Sequence, residues 1–227
     1  GFILSTSGST GVPKVVVQTL DCLINLIQWN RASFGMSEKD VILQLSSFGF
    51  DASFHEVLLA ISLGASLVEV PLASRLDIQL IRGAIEKHAA TQAWIPARLL
   101  NAVLDVDPTY FDECDSLQRI VTTGEALILS ANLKNYVQRS KVSLLNYYGP
   151  TETHVVTALE VTGANLSTQP PIGRVLDNCT IRLMDSEGNP TREGLPGEIW
   201  VADAPVAIGY HNAPELNAEA FAHWDGK

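Results

Sequence analysis

Apolar positions along the chain fall into short runs that switch between two spacings. Residues 2–4 are apolar, residues 5–11 are all Ser, Thr or Gly, and Lys14-Val15-Val16-Val17-Gln18 is rich in β-branched side chains. That pattern predicts a strand, a glycine loop and a second strand. Over 21–34, Leu23, Ile24, Leu26, Ile27 and Phe34 recur near helical spacing, predicting a surface helix with Thr19 or Asp21 as its cap.

The two periods then alternate. Strands are predicted over 41–45, 66–70, 91–95, 117–122 and 142–146, with helices over 54–63, 78–88, 96–104 and 130–139. Such alternation implies βαβ units, hence an α/β fold with a mostly parallel sheet flanked by helices. After about Thr168 the texture changes to Pro170-Pro171, Gly173, a strand-like 180–184, the turn-rich Asp185-Ser186-Glu187-Gly188-Asn189-Pro190 and a strand over 197–202. These features predict a small β-rich subdomain, distorted and barrel-like. The expected division is an α/β lobe over 1–168 and an incomplete β-rich subdomain over 169–227, with no internal repeat.

Composition narrows the partners. The chain has 227 residues, 46% of them hydrophobic, enough for a sizeable core. A formal charge of −10 repels nucleic acid backbones and anionic membranes, so small ligands and proteins are the expected partners. Cys22, Cys114 and Cys179 are widely spaced and suggest no disulfide framework, which fits a reducing cytoplasm. The most apolar stretch, 57–70, is broken by Ser62, Gly64, Ser66 and Glu69 and falls short of the roughly 20 residues that span a bilayer. Gly1-Phe2-Ile3-Leu4 lacks a basic leader and runs straight into a loop motif, so the start reads as a cut.

Two segments carry the chemistry. Ser5-Thr6-Ser7-Gly8-Ser9-Thr10-Gly11-Val12-Pro13-Lys14 packs hydroxyls and glycines between strands and ends on a cation, a composition suited to wrapping a polyphosphate. It is not a Walker A loop, because Val12-Pro13 separates Gly11 from Lys14 and no Ser or Thr follows the lysine. Alone, it also reads as a flexible Ser/Gly loop. Asn146-Tyr147-Tyr148-Gly149-Pro150-Thr151-Glu152-Thr153 stands where a parallel strand ends, the place where ligands collect in open α/β sheets. Glu152 offers a hard oxygen for Mg²⁺, Thr151 a hydroxyl for phosphate and Tyr148 an aromatic face. The plain alternative is a Gly-Pro turn beside a surface acid.

Together these segments resemble the adenylate-forming superfamily, which includes acyl-CoA synthetases, luciferases and the adenylation domains of nonribosomal peptide synthetases. Phe50-Asp51-Ala52-Ser53, Thr123-Gly124-Glu125-Ala126, Gly173-Arg174, and Gly197-Glu198-Ile199-Trp200 leading to Gly209-Tyr210 resemble the peptide synthetase branch. The resemblance implies that Thr6, Ser7, Gly8, Ser9, Thr10, Gly11 and Lys14 hold the ATP phosphates. It places Gly124, Glu125 and Ala126 beside adenine with Asn146 and Tyr148, Thr151 at the α-phosphate and Glu152 on Mg²⁺. Lys14, Thr151 and Glu152 are the catalytic expectations. Val15 departs from the family, which has Gly there, and implies a stiffer exit from the loop.

The implied reaction is attack of a carboxylate on the ATP α-phosphorus, giving an acyl-adenylate and pyrophosphate, with positioning and charge neutralisation carrying the rate. An aspartate at the position of Asp51 pairs with a substrate α-ammonium in this branch, which implies an amino-acid substrate; a helix cap is the alternative role. The same motifs imply a pocket of Asp51, Ala52, His55, Trp94, Val121, Thr123, Tyr147, Val155 and Val156, favouring a small or compact side chain. Parts of it resemble proline-activating relatives, from which His55, Trp94 and Tyr147 depart. His55 alone reads equally as a packing residue.

Implied partners are a carrier protein with a phosphopantetheine arm and, in some relatives, a small accessory protein. The family's Thr-Gly-Asp segment and C-terminal lysine lobe do not follow Trp224-Asp225-Gly226-Lys227, so these residues alone are expected to adenylate poorly. The rival readings are an acyl- or aryl-CoA ligase and a non-catalytic docking lobe.

Overall fold

A computed structural model describes residues 1–6 and 13–222. The predicted alternation is present. Parallel strands β3 (Val41–Gln44), β4 (Ser66–Glu69), β5 (Gln92–Trp94), β6 (Arg119–Thr122) and β7 (Ser143–Tyr148) are joined through helices α2 (Asp51–Leu63), α3 (Ile78–His88), α4 (Ala97–Val106) and α5 (Ala131–Arg139). Two strands that the pattern did not predict, β8 (Thr157–Val161) and β9 (Arg174–Val175), extend this sheet antiparallel beyond β7. The resulting order is β4-β3-β5-β6-β7-β8-β9.

Local sequence explains the helix ends. The Asp77 side chain accepts the Gln79 and Leu80 N–H groups at the start of α3, and Ser130 accepts that of Leu133 at the start of α5. Gly35 and Gly64 close α1 (Asp21–Phe34) and α2 in the left-handed conformation, at φ 60° and 68°. The expected cap of α1 is different: Leu20 is the N-cap, and the Thr19 hydroxyl accepts the Asp21 N–H from one residue further out.

Strand alternation divides the core. Ala93, Ile120 and Leu144 face one cluster with Ile85 of α3, Leu100 of α4 and Leu133 of α5. Trp94, Val121, Leu145 and Tyr147 face the other, with Leu26 and Ile27 of α1 and Leu59 of α2. Helices therefore cover both faces, the usual condition of a parallel sheet. At the N-terminal edge of the strands a buried Asp40–Arg119 ion pair is supplemented by Thr91, whose hydroxyl donates to Asp40 at 2.8 Å, and by Gln92, which accepts from Arg119 at 2.8 Å.

The remaining strands form two smaller sheets. β1 (Phe2–Thr6) and β2 (Lys14–Gln18) pair antiparallel, and β12 (Gly209–Tyr210) adds to the far edge of β2. β10 (Cys179–Met184) and β11 (Glu198–Asp203) form a hairpin, and a short helix α6 (Pro214–Ala220) follows β12. No closed barrel forms among the described residues, because β9 joins the large sheet and β12 joins β2 instead of pairing with the hairpin.

Candidate functional site

The site lies at the carboxyl ends of β5, β6 and β7, where alternation points Trp94, Val121 and Tyr147 to the α1–α2 side. As the chain leaves β7 it doubles back sharply. A Cβ on Gly149 would stand 1.5 Å from the His154 carbonyl oxygen, so only glycine fits. His154 takes φ 56°, and the Val156 N–H returns to the Tyr148 carbonyl at 2.8 Å. This turn brings Thr151 and His154 to the start of α2.

Asp51 is the first residue of α2. Its N-cap, Phe50, is extended and supplies no side-chain cap, so Asp51 is not serving as the cap. Its carboxylate makes no hydrogen bond among the described residues, while its carbonyl faces His154 Nε2 at 3.3 Å. The helix N-terminus favours a carboxylate there.

A cavity of about 480 Å³ opens between these elements. Of the expected residues, Thr6, Asp51, Ala52, His55 and Trp94 line it, as do Thr123, Gly124, Tyr147, Thr151 and Val155. A neighbouring, more apolar cavity of about 650 Å³ shares Asp51, Ala52, Trp94, Thr123 and Gly124 with the first and adds Val121 and Glu125. Glu125 is tied to the start of α4, accepting the Arg98 N–H at 2.9 Å and pairing with Arg98 Nε at 3.1 Å. Ala126, Asn146, Tyr148 and Val156 line neither cavity, Val156 being fully buried. Ser7, Gly8, Ser9, Thr10 and Gly11 lie outside the described residues.

Lys14 and Glu152 stand beside the cavity, linked by Tyr210. The Tyr210 hydroxyl donates to Glu152 Oε1 at 2.5 Å, and Lys14 Nζ lies 5.2 Å from the centre of the same ring. Glu152 is fixed through its backbone as well: its carbonyl accepts the Ala207 N–H at 2.8 Å and Gln18 Nε2 at 3.3 Å. Among the described residues no group of three or more His, Cys, Asp or Glu side chains gathers as a metal cage. A single carboxylate nevertheless fits Mg²⁺, which takes one or two protein carboxylates and completes its shell with water and ligand oxygens.

Two polar assemblies were not foreseen. Asn30 of α1 is completely buried; it receives the Tyr147 hydroxyl, donates to the Leu26 carbonyl at 2.9 Å and meets His55 Nε2 at 3.0 Å. Its signal was available, since Asn30 continues the buried stripe of Leu23, Leu26 and Ile27 at helical spacing. Glu56 holds the loop after β3, accepting from the Leu45 N–H at 3.2 Å, the Ser46 N–H at 3.1 Å and the Ser46 hydroxyl at 2.9 Å. Arg75 holds the same loop by donating to the Val70 and Ser46 carbonyls. Burial pushes the Glu56 carboxyl up to about 7, against the hydrogen bonds from Ser46, Leu45 and Gln44. Burial, with His154 adjacent, holds His55 well below the ordinary histidine value.

This fold and site define a class. A family model described as AMP-binding enzyme matches residues 2–211, and the chain belongs to that family. It is similar to nonribosomal peptide synthetases. Over 223 residues it is 34% identical to phosphinothricin tripeptide synthetase PhsB of Streptomyces viridochromogenes, covering 97% of this chain and 18% of that protein. It is 29% identical to gramicidin S synthase 2 of Brevibacillus brevis, covering 97% of this chain and 5% of that one. The chain thus spans only a small part of the curated relatives it matches.

Among solved structures it is similar to the Klebsiella oxytoca NpsA N-terminal subdomain in complex with 3-hydroxybenzoyl-AMSN. The TM-score is 0.82 at 27% identity, covering 99% of this chain and 57% of that one. It is also similar to NpsA-ThdA, an artificially fused adenylation-PCP di-domain, with a TM-score of 0.83 at 28% identity, covering 99% of this chain and 45% of that one. No described helix is long and apolar enough to cross a membrane.

Proposed function

We propose that this chain forms the ATP and substrate pocket of an enzyme that activates an amino acid as its aminoacyl-adenylate. The observation that carries the reading is Asp51. Its carboxylate lines the cavity at the start of α2 without a hydrogen bond among the described residues, so it is available to an α-ammonium. A desolvated ammonium needs such a partner.

With the ammonium held at Asp51, the substrate carboxylate is directed towards Thr151 and the turn after β7, where ATP would present its α-phosphorus. Lys14 and the loop before it would hold the outgoing phosphates, with Gly124 and Thr123 against the nucleotide. Bound at Glu152, Mg²⁺ would neutralise phosphate charge. The protein contributes alignment and electrostatic stabilisation, and no protein nucleophile is required. The product would pass to the phosphopantetheine thiol of a carrier domain, a partner suggested by the likeness to the NpsA-ThdA di-domain.

The test is pyrophosphate exchange by the full-length protein over a panel of amino, hydroxy, aryl and fatty acids. Exchange dependent on an α-amino acid is expected. The second reading is an aryl acid, suggested by the NpsA structures with 3-hydroxybenzoyl and anthranilyl ligands. Exchange with benzoates and with no α-amino acid would establish it instead.

A further inference from the structure

Hydrogen bonding at one wall of the cavity fixes where its protons lie. The Leu26 carbonyl can only accept, so the Asn30 atom 2.9 Å from it is the amide nitrogen. Asn30 Oδ1 accordingly accepts the Tyr147 hydroxyl, and the second N–H of Nδ2 is directed to His55 Nε2 at 3.0 Å. Nε2 is therefore an acceptor, and the single proton of the neutral ring sits on Nδ1. His55 lines the cavity, and its Nδ1 has no hydrogen-bond partner among the described residues.

A second donor stands beside it. Trp94 packs edge-on to His55 with ring centres 5.2 Å apart, lines both cavities, and has a buried indole N–H without a partner. The polar groups of the rings packed around His55 are already engaged. The Tyr147 hydroxyl is given to Asn30, His154 Nδ1 accepts the Val155 N–H at 2.8 Å, and His154 Nε2 faces the Asp51 carbonyl. Among the described residues lining this cavity Asp51 is the sole charged side chain. The wall therefore carries one N–H donor in excess, with a second enclosed in the Trp94 ring packed against it, and no cation among the described residues.

The geometry points to an α-amino acid whose side chain ends in a neutral hydrogen-bond acceptor, such as a carboxamide or ureido oxygen, received by His55 Nδ1–H with the enclosed Trp94 Nε1–H beside it. This rests on the amino-acid reading of the site given above. An aliphatic side chain, proline included, leaves both donors unmatched, and a site built to hydrogen-bond its substrate discriminates strongly against analogues that cannot reciprocate. A carboxylate side chain meets no cation among the described residues and is repelled by Asp51. His55 cannot become the missing cation without turning a new N–H against the N–H of Asn30.

The test is pyrophosphate exchange by the full-length protein with glutamine, asparagine and citrulline against glutamate, aspartate, leucine and proline. At least one neutral acceptor side chain is expected to exceed its acidic and aliphatic counterparts by about tenfold or more in kcat/KM, the scale of one hydrogen bond. Trp94→Phe, which keeps a ring and removes the N–H, is expected to shrink the advantage over leucine by about tenfold. Asn30→Asp would accept from Nε2, let His55 carry both protons, and raise the acidic substrate relative to its amide. Thermal unfolding checks that each variant is folded; should one fail, the wild-type panel decides alone. A preference for leucine, proline or an acidic side chain, or unchanged ratios in both folded variants, would overturn this inference while leaving amino-acid activation standing. Exchange confined to aryl acids would overturn the earlier reading and this one with it.

Discussion

Tyr210 donates its hydroxyl to Glu152 across 58 positions of sequence, at 2.5 Å. The bond joins the short strand β12 to the turn after β7, and the same ring lies 5.2 Å from the Lys14 ammonium. One aromatic residue therefore orients two of the residues expected to handle the nucleotide. Tyr210→Phe keeps the ring and removes the bond to the carboxylate. It is expected to cost about 1–2 kcal/mol of stability, the range for a partly exposed hydrogen bond to a charged group. Urea unfolding of the variant against wild type measures this, and an unchanged midpoint would show the bond to be idle.

Asp51→Asn preserves shape and removes the charge offered to the substrate ammonium. The expected result is a loss of about 100-fold in kcat/KM for the amino acid, roughly 3 kcal/mol, with ATP affinity retained. Exchange kinetics with each substrate varied in turn separate the two. An equal loss towards amino acid and ATP would argue against the pairing.

Gly149→Ala introduces a methyl group where the His154 carbonyl oxygen stands only 1.5 Å from the Cβ position. The contact is backbone, so a side-chain rotation cannot relieve it. The turn must open, and a destabilisation of about 3 kcal/mol or more is expected. Loss of the folded baseline in circular dichroism, or a strongly lowered denaturation midpoint, is the readout.

Glu56 predicts a pH dependence. Its carboxyl is raised from the ordinary 4.5 to about 7 in the folded chain. The stabilisation is therefore fully present below pH 4.5 and is lost as pH rises through about 7, because the unfolded chain releases the proton first. The full swing is on the order of 3 kcal/mol. His55 acts in the opposite sense, since its depressed value costs stability as pH falls below the ordinary 6.5. The difference between wild type and Glu56→Gln isolates the carboxyl, and denaturation at pH 5, 6, 7 and 8 should show wild type losing stability relative to the variant as pH rises. A constant difference would place the proton elsewhere.

Periodicity alone determined most of the elements. α1 and α3 keep the predicted bounds, and the parallel strands β3 to β7 appear where apolar runs switch period, because burial on one or two faces writes directly into residue spacing. The resemblance also named Trp94 and Tyr147 as pocket residues, and both line the cavity. Tertiary structure decided which faces meet. Strand β8 runs antiparallel because the chain reverses tightly at Gly149, a contact between backbone atoms that no spacing records. Asn30, His55 and Tyr147 lie on three different elements, so their shared hydrogen bonds, and with them the proton on His55, exist only once α1, α2 and β7 have packed together. Local sequence fixes which face each residue takes; the hydrogen-bonding sense of the pocket depends on distances between faces, and packing alone sets those.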